Sequence, residues 1–127
     1  VSLVFLDLNK FKQINDRYGH ASGDKILQEF AYHLTLVCRQ TDISARIGGD
    51  EFVLLLPNAT DAEVKKILDR FEQLIAQFNI DEAKEYTITY SYGVVNFDEA
   101  IHQSLDDLLA EGDQLMYKRK KKTARKN

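Results

Sequence analysis

The chain has 127 residues, of which 44% are hydrophobic and 29% are charged. This composition is typical of one soluble globular domain with its own core. It excludes a membrane helix, since no apolar run approaches the ~20 residues that such a helix needs. An internal disulfide is excluded as well, because Cys38 is the only cysteine, and a reducing compartment fits.

The formal net charge of −3 is unevenly distributed along the chain. The tail 118–127 holds seven of the 17 basic residues and none of the 20 acidic ones, which leaves a net charge of −10 on the rest. An acidic body argues against nucleic-acid binding, which needs a basic face. The tail has two interpretations, a solvated helix end or a phosphate-binding segment. The chain begins inside an apolar run, at Val1, and we expect it to be a fragment of a longer protein.

The first predicted element is a central buried strand at Leu3–Leu6, apolar on both faces and ending at Asp7. Gly19 and Gly23 are expected to break the stretch that follows. A long helix comes next, and one of its faces is apolar. That face contains Leu27, Phe30, Ala31, Leu34, Val37 and Cys38.

A hairpin is predicted around Gly48-Gly49, because apolar residues alternate on both sides of the glycines. A two-residue turn would place Asp50 on the apolar face of the second arm, which is costly for a charge. We therefore predict a four-residue loop from Gly48 to Glu51, with both acids pointing outward. The facing pairs would be Ile47 with Phe52, Ala45 with Leu54, and Ile43 with Leu56.

Thr60 and Glu63 form a predicted capping box for the next helix. The apolar stripe of that helix is Val64, Ile67, Leu68, Phe71, Leu74, Ile75 and Phe78. A fourth strand is predicted from the alternation of Tyr86, Ile88, Tyr90 and Tyr92 with hydroxyl residues. Ser104 to Asp107 resembles a weaker capping box for a last helix, whose inward residues would be Leu105, Leu108, Leu109, Leu115 and Met116. The order β-α-α-β-β-α-β-α predicts an α+β fold with helices covering a mixed central sheet.

Three carboxylates could converge at one end of this sheet. Asp7 closes the first strand, and the hairpin tip carries Asp50 and Glu51. Like charges that approach closely repel one another unless a cation lies between them. Hard oxygen ligands select Mg²⁺ or Mn²⁺, and protein-bound Mg²⁺ commonly serves substrate phosphates. The alternative is that Asp50 and Glu51 are ordinary turn residues.

Two blocks of sequence carry a resemblance to a known family. "RIGGDEF" at 46–52 and "FLDLNKFKQINDRYGHASGD" at 5–24, with the spacing between them, resemble the GGDEF family of diguanylate cyclases. The resemblance covers almost the whole chain and assigns residues 1–127 to one GGDEF domain, without the helix that the family usually has before its first strand. It implies a fold related to the adenylyl cyclase and polymerase palm. It also implies that two such domains meet face to face and condense two GTP into cyclic di-GMP, with release of pyrophosphate.

The resemblance implies a metal site for Mg²⁺ or Mn²⁺. Asp7 and Asp50 match the family's metal-binding acids, and the carbonyl of Leu8 matches a further ligand. Glu51 matches the second acid of the signature, where it would either hold metal or accept the proton of the attacking 3′-hydroxyl. Asn9 stands where the family often has another Asp, which lowers the local negative charge.

The resemblance also implies a GTP site. The matching residues are Lys10, Phe11 and Lys12 for the triphosphate, Asn15 and Asp24 for guanine, His20 beside them, and Lys120 for phosphate. A carboxylate such as that of Asp24 can accept from guanine N1–H and N2–H₂ together, which adenine does not offer. His20 has an equal alternative as a loop histidine bonded to backbone. Gly48 and Gly49 would let a phosphate approach the backbone.

A second departure, beside the missing first helix, concerns the tail, where Ala124 stands at the position of an expected arginine and Arg125 follows one residue later. Upstream, "RQTD" at 39–42 matches the family's product-inhibition site, with Arg39 and Asp42 as its two residues and Arg70 in support. Arg and Asp are also common at a helix end, which is the alternative interpretation.

Further expectations concern the surroundings of the domain. The resemblance implies a homodimer for catalysis, an upstream sensory or receiver domain, and a cytoplasmic location, with tethering to the membrane by other segments left open. A second function stays open too: a receptor that binds cyclic di-GMP or GTP without turnover.

Overall fold

The structure is a computed structural model that describes residues 1–82, 86–97, 104, 106–107 and 109–115. The strands in this part of the chain are β1 (Ser2–Leu8), β2 (Ile43–Arg46), β3 (Glu51–Leu56) and β4 (Tyr90–Asn96). The helices are α1 (Phe11–Tyr18), α2 (His20–Val37) and α3 (Asp61–Glu82), and residues 109–115 are helical as well. This arrangement confirms the predicted α+β class.

The four strands form one sheet in the order β2-β3-β1-β4, and each neighbouring pair is antiparallel. The prediction of a mixed sheet is therefore wrong for these strands. β2 runs in the same direction as β1, but β3 returns from the hairpin and lies between them. A parallel pair would have required two strands of the same direction, such as β1 and β2, to be direct neighbours.

β1 is the buried central strand that the sequence predicts, and all seven of its residues are buried. Its side chains point alternately to the two faces of the sheet. Val4, Leu6 and Leu8 join the large core with α2 and α3. Leu3 and Phe5 join a smaller cluster on the other face, against which Leu109 and Leu115 pack. Asp7 has the same parity as Leu3 and Phe5, so its side chain lies on the face of the smaller cluster.

The predicted capping box of α3 is confirmed in both directions. The backbone N–H of Thr60 donates to Glu63 Oε1 at 3.1 Å, and the N–H of Glu63 donates to Thr60 Oγ1 at 3.2 Å. The apolar stripe of α3 is also confirmed. Its residues Val64, Leu68, Phe71 and Ile75 are buried, and Ile67, Leu74 and Phe78 pack partly buried against the same core.

The two glycines predicted as breakers behave differently. Gly19 separates α1 from α2 at a φ of 92°, a conformation that favours glycine. Gly23 lies buried inside α2, so the prediction that it breaks the helix is wrong. A Cβ at this position would overlap Oδ1 of Asn15. Gly23 therefore provides the space in which α1 packs against α2.

The hairpin register differs from the prediction by one residue. Arg46 pairs with Phe52 and Ile43 with Leu55. The N–H of Ile47 donates to the carbonyl of Glu51 at 2.9 Å, so the loop contains only residues 48–50. The four-residue loop is therefore wrong, and so are the facing pairs that it implied.

A shift of one residue moves every side chain of a strand to the opposite face. Phe52, Leu54 and Leu56 are buried against the helices, whereas Ile43 and Ile47 remain 56% and 45% exposed on the other side of the sheet. The reason is that, among the strands of the described residues, β2 lies at the edge of the sheet and pairs with β3 alone. The side chains of β3 can be buried whichever face the side chains of β2 occupy. Pairs of facing apolar residues were therefore a weak guide to the hairpin register.

β4 begins later than predicted, at Tyr90 instead of Tyr86. Tyr90 lies opposite Leu8, the last residue of β1, and the segment before it has little strand left to pair with. The side chain of Asn79 binds the backbone of Ile88 instead. Its Nδ2 donates to the Ile88 carbonyl at 3.0 Å, and the Ile88 N–H donates to Asn79 Oδ1 at 2.9 Å.

One half of the last predicted capping box is present, since the N–H of Asp107 donates to Ser104 Oγ at 3.3 Å. Of the predicted inward residues, Leu109 and Leu115 pack in the smaller cluster. Leu105, Leu108 and Met116 lie outside the described residues. Among the helices that the structure describes, none has the length and apolarity to cross a membrane.

Candidate active site

The candidate site lies at the end of β1, where Asp7 faces Glu51 of β3 directly across the sheet. Asp7 is buried, with 7% of its surface exposed, and Ser91 of β4 lies opposite it on the other side. Directly opposed residues point to the same face of an antiparallel sheet. The register thus places the carboxylates of Asp7 and Glu51 side by side.

The hairpin loop brings the third acid to the same place. The N–H of Leu8 donates to the carbonyl of Asp50 at 3.1 Å and ties the loop to the end of β1. The Nε of Arg46 donates to the carbonyl of Gly48 at 2.9 Å and holds the other side of the loop. One ligand oxygen each from Asp7, Asp50 and Glu51 then lies within 4.8 Å of the others. The predicted convergence of three carboxylates is confirmed, although Glu51 belongs to β3 and not to the loop.

This cluster could hold a metal ion. Three carboxylate oxygens at such spacing form a hard donor set, which suits Mg²⁺ or Mn²⁺ better than soft metals. The N–H of Leu8 bonds to the Asp50 carbonyl, so the backbone of Leu8 is joined to the hairpin loop that precedes Glu51. The donor chemistry therefore fits the metal that the sequence suggested.

The two glycines of the loop are not required by the local backbone. Among the described glycines, only Gly19 has a positive φ. A Cβ at Gly49 would meet nothing within 4 Å, and one at Gly48 would come no closer than 3.4 Å to Glu51. Glycine at both positions leaves the loop backbone open to approach beside the three acids.

The N-terminus of α1 follows directly after this end of β1. Its first intrahelical bond runs from the N–H of Ile14 to the carbonyl of Lys10 at 3.0 Å. The N–H groups of Phe11 and Lys12 precede that bond, and such groups favour an anion. Lys10 has a φ of 57°, in the left-handed region, and turns the chain from the strand into the helix.

The predicted guanine-binding residues lie farther along α1 and at the start of α2. Oδ1 of Asn15 is buried against Gly23 and has no hydrogen-bond partner within the described part of the chain. Asp24, next to that glycine, is exposed, and so is His20, the first residue of α2. The structure thus brings Asn15 close to the turn of α2 that carries Asp24.

Asn9 has a role that the sequence did not reveal. Ser91 Oγ donates to Asn9 Oδ1 at 2.8 Å, and the N–H of Asn9 donates to the carbonyl of Thr89 at 2.9 Å. These bonds fasten the end of β1 to the start of β4. An amide side chain therefore shapes the loop at this position.

Arg39 and Asp42 form a closed ion pair at the C-terminal end of α2. Nε and Nη2 of Arg39 donate to the two carboxylate oxygens of Asp42, each at 3.0 Å, and the backbone N–H of Arg39 adds a bond of 2.8 Å. The side chain of Asp42 is fully buried. Burial raises the pKa of the Asp42 carboxyl, but the hydrogen bonds from Arg39 outweigh it and leave the pKa below its ordinary value.

Glu63 is a further partner of Arg39 that sequence reasoning missed. Nη1 of Arg39 donates to Glu63 Oε2 at 3.0 Å, while Oε1 serves the capping box at Thr60. The bonds from Thr60, followed by the charge of Arg39, lower the pKa of the Glu63 carboxyl. Arg70 is exposed on α3 and is not a hydrogen-bonding member of this group in the described part of the chain. The capping motif was the available signal, since it fixes a carboxylate near the end of α2.

His33 makes structural contacts within α2 and with α3. Its Nδ1 lies 2.7 Å from the carbonyl of Glu29, and its ring packs edge-on against Tyr32 and Phe78. Lys120, Ala124 and Arg125, which the resemblance assigned to the tail, lie outside the described residues.

Comparison with known proteins agrees with this geometry. The family described as "Diguanylate cyclase, GGDEF domain" matches residues 1–126. The uncharacterized protein YhcK of Bacillus subtilis is 36% identical over 94% of this chain and 33% of its own length. The probable diguanylate cyclase DgcE of Escherichia coli is 35% identical over 91% of this chain and 10% of its own length. The chain thus spans a third or less of these two relatives.

A solved structure shows the same fold. The GGDEF domain of YfiN (also TpbB) from Pseudomonas aeruginosa has a TM-score of 0.79 and 32% identity, and the match covers 95% of this chain and 76% of that one. The chain belongs to the family of diguanylate cyclase GGDEF domains.

Proposed function

We propose that this domain condenses two GTP into cyclic di-GMP and two pyrophosphates, at the interface of two copies and with Mg²⁺ or Mn²⁺. The observation that carries the proposal is the convergence of Asp7, Asp50 and Glu51 within 4.8 Å. Family membership supports the same reaction. A hard cation between a triphosphate and this acidic group would balance the charge of both.

The site offers separate regions for the two ends of GTP. The N–H groups at the start of α1, at Phe11 and Lys12, and the open backbone of Gly48 and Gly49 would receive the phosphates. Lys10 and Lys120 would add positive charge there. At the other end, Asn15, Asp24 and His20 would surround guanine, and Asp24 would accept from its N1–H and N2–H₂.

Asp7 and Asp50, with the carbonyl of Leu8, would hold the metal, and Glu51 would either complete that set or take the proton of the nucleophile. A bound divalent cation would neutralise the phosphate charge that develops during the displacement. The 3′-hydroxyl oxygen of one GTP attacks the α-phosphorus of the other. The bond from that phosphorus to the bridging oxygen breaks, pyrophosphate leaves, and the hydroxyl proton passes to a base. The reaction occurs twice to close the ring.

Two copies are required because each contributes one GTP. The test therefore uses the domain in two forms, free and fused to a parallel dimeric coiled coil that raises the effective concentration of the partner. Incubation with GTP and Mg²⁺, followed by chromatography, should show cyclic di-GMP, with more product from the fused form. A fused Glu51→Gln variant is the matched control and should lose turnover. Absence of cyclic di-GMP from the fused wild type would refute the proposal.

The role of Glu51 is testable with the same variant. If Glu51 holds metal, Glu51→Gln should weaken Mn²⁺ binding in a calorimetric titration. If it serves as the base, Mn²⁺ binding should persist while turnover and its pH profile change. Either result assigns the residue.

We also propose product inhibition at Arg39 and Asp42, with Arg70 as a supporting cation. The side chain of Arg39 is 35% exposed, so a phosphate or a guanine can reach it from solvent. Cyclic di-GMP added to the active fused form should then lower the initial rate, and Arg39→Ala should abolish that inhibition.

The alternative function, a receptor without turnover, is separated by the same measurements. Binding of cyclic di-GMP or GTP by a fused form that makes no product would favour it. The upstream sensory or receiver domain and the cytoplasmic location, free or tethered to the membrane, stay proposals that only a longer sequence can test.

A further inference from the structure

We propose that Glu63 is an internal competitor for the guanidinium of Arg39 and sets the affinity of that site for an anionic phosphodiester. This inference rests on the product-inhibition site proposed above and concerns its regulation. Its basis is the unequal exposure of the two carboxylates that bind Arg39.

Asp42 is the fixed partner. Both of its oxygens accept from Arg39, at 3.0 Å each, and its side chain is fully buried. Removal of a fully buried carboxylate from a guanidinium leaves an unpaired charge in the interior, which is strongly unfavourable. An incoming anion therefore cannot replace Asp42.

Glu63 is the exchangeable partner. Its side chain is 45% exposed, and it receives a single bond from Arg39, at 3.0 Å from Nη1. The bond to the Thr60 N–H uses the other oxygen, Oε1. Glu63 can therefore rotate away from Arg39 and keep its capping bond, so release disturbs α3 little.

A ligand needs this exchange because of the way in which the N–H groups of Arg39 are already bonded. A guanidinium has five N–H groups, and Nε and one N–H of Nη2 serve Asp42. Nη1 serves Glu63 and, at 3.4 Å, the carbonyl of Asn58. A phosphodiester that seeks two parallel bonds must take Nη1 from Glu63. The charge of Glu63 would also repel the phosphates of the ligand.

The test compares wild type, Glu63→Gln and Asp61→Asn in calorimetric titrations with cyclic di-GMP. Gln keeps the capping box and loses the charge. Asp61→Asn removes the same charge from the same exposed first turn of α3, at a residue outside the hydrogen bonds of Arg39 in the described chain. Glu63→Gln should bind about two- to fivefold more tightly than wild type, the range expected when an exposed charge contact is removed. The gain should shrink at high salt, because the charges are exposed.

The outcomes separate this inference from the proposal that it rests on. Equal or weaker binding by Glu63→Gln, beside measurable wild-type binding, would overturn the competitor role and leave the product site intact. An equal gain in Asp61→Asn would overturn it too, because the effect would then be general charge. Absence of binding in all three proteins would remove both the competitor and the product site. Thermal unfolding of each variant shows that the proteins compared are folded.

Discussion

Two groups of carboxylates lie at opposite ends of β3, and different partners balance their charge. At the start of the strand, Asp50 and Glu51 meet Asp7 with ligand oxygens within 4.8 Å of one another. Beyond its end, Asp42 and Glu63 share the guanidinium of Arg39. Six strand residues at about 3.3 Å each separate the two groups by roughly 20 Å.

The difference concerns where the balancing cation comes from. The Arg39 group contains its own cation and connects α2, the start of β2 and the first turn of α3. The acid cluster collects three carboxylates in one place, an arrangement that suits a cation from solvent. One end of β3 thus fits catalysis, and the other fits support of the structure with a single exchangeable bond.

The largest expected effect is on activity, from Asp50→Asn in the acid cluster. Under the proposed function, turnover of the fused dimer should fall about 100-fold or more, as when an electrostatic contact to a transition state is removed. Stability in metal-free buffer should change by less than about 0.5 kcal/mol, because Asp50 lies in a loop. Product chromatography and urea unfolding measure the two effects. The control is Asp16→Asn, an exposed acid of α1. Equal activity in both variants would contradict the role of the cluster.

Asp42→Asn should show the reverse pattern, with a loss of stability of about 2 kcal/mol at pH 7, since bonds to a charged partner are removed. The pKa of Asp42 is lowered in the folded state, so its contribution is present above the ordinary aspartate pKa of about 4 and is lost as the pH falls through the folded value. The difference between wild type and variant should therefore shrink below about pH 4. Urea unfolding at pH 7, 5 and 3 measures this trend. A constant stability difference across that pH range would show that the charge of Asp42 does not contribute to stability.

Gly23→Ala should weaken the binding of GTP, because the added Cβ would displace Asn15. Alanine is favoured over glycine inside a helix by about 1 kcal/mol, which offsets the displacement, so stability should change little. The KM for GTP should rise about fivefold, the equivalent of one hydrogen bond to guanine. Steady-state kinetics of the fused dimer measure it, and Gln28→Ala, an exposed residue of the same helix, is the control. An unchanged KM would argue against a contact between Asn15 and the base.

The smallest expected effect concerns Tyr90, on the helix-covered face of the sheet and opposite Leu8 at the end of β1. Burial, followed by the charge of Glu72 and the nearby Tyr92, raises the pKa of Tyr90 to about 12. The unfolded chain loses this proton near pH 10, so stability should fall as the pH rises from about 10 to 12. Tyr90→Phe should reduce that alkaline loss and leave stability at pH 7 nearly unchanged. Urea midpoints at pH 8 and 11 measure the effect, and an identical alkaline loss in the variant would contradict it.

The sequence by itself determined the elements whose signals are local. The buried run of β1, the capping box at Thr60 and Glu63, and the apolar stripe of α3 depend on neighbouring residues, so their patterns could be interpreted directly. The meeting of Asp7 with the two acids of the hairpin was predictable for a related reason. An Asp at the end of a buried strand and a Gly-Gly-Asp-Glu turn are both strong signals.

The tertiary structure alone decided the rest, because those features depend on which strands and helices become neighbours. The hairpin register followed the burial of Phe52, Leu54 and Leu56 and not the facing of apolar pairs, since β2 is an edge strand. Insertion of β3 between β1 and β2 made the sheet antiparallel. Gly23 proved to be a packing residue because α1 lies against α2. The contact between Arg39 and Glu63 required α3 to place Glu63 beside the end of α2, a distance of 24 residues along the chain.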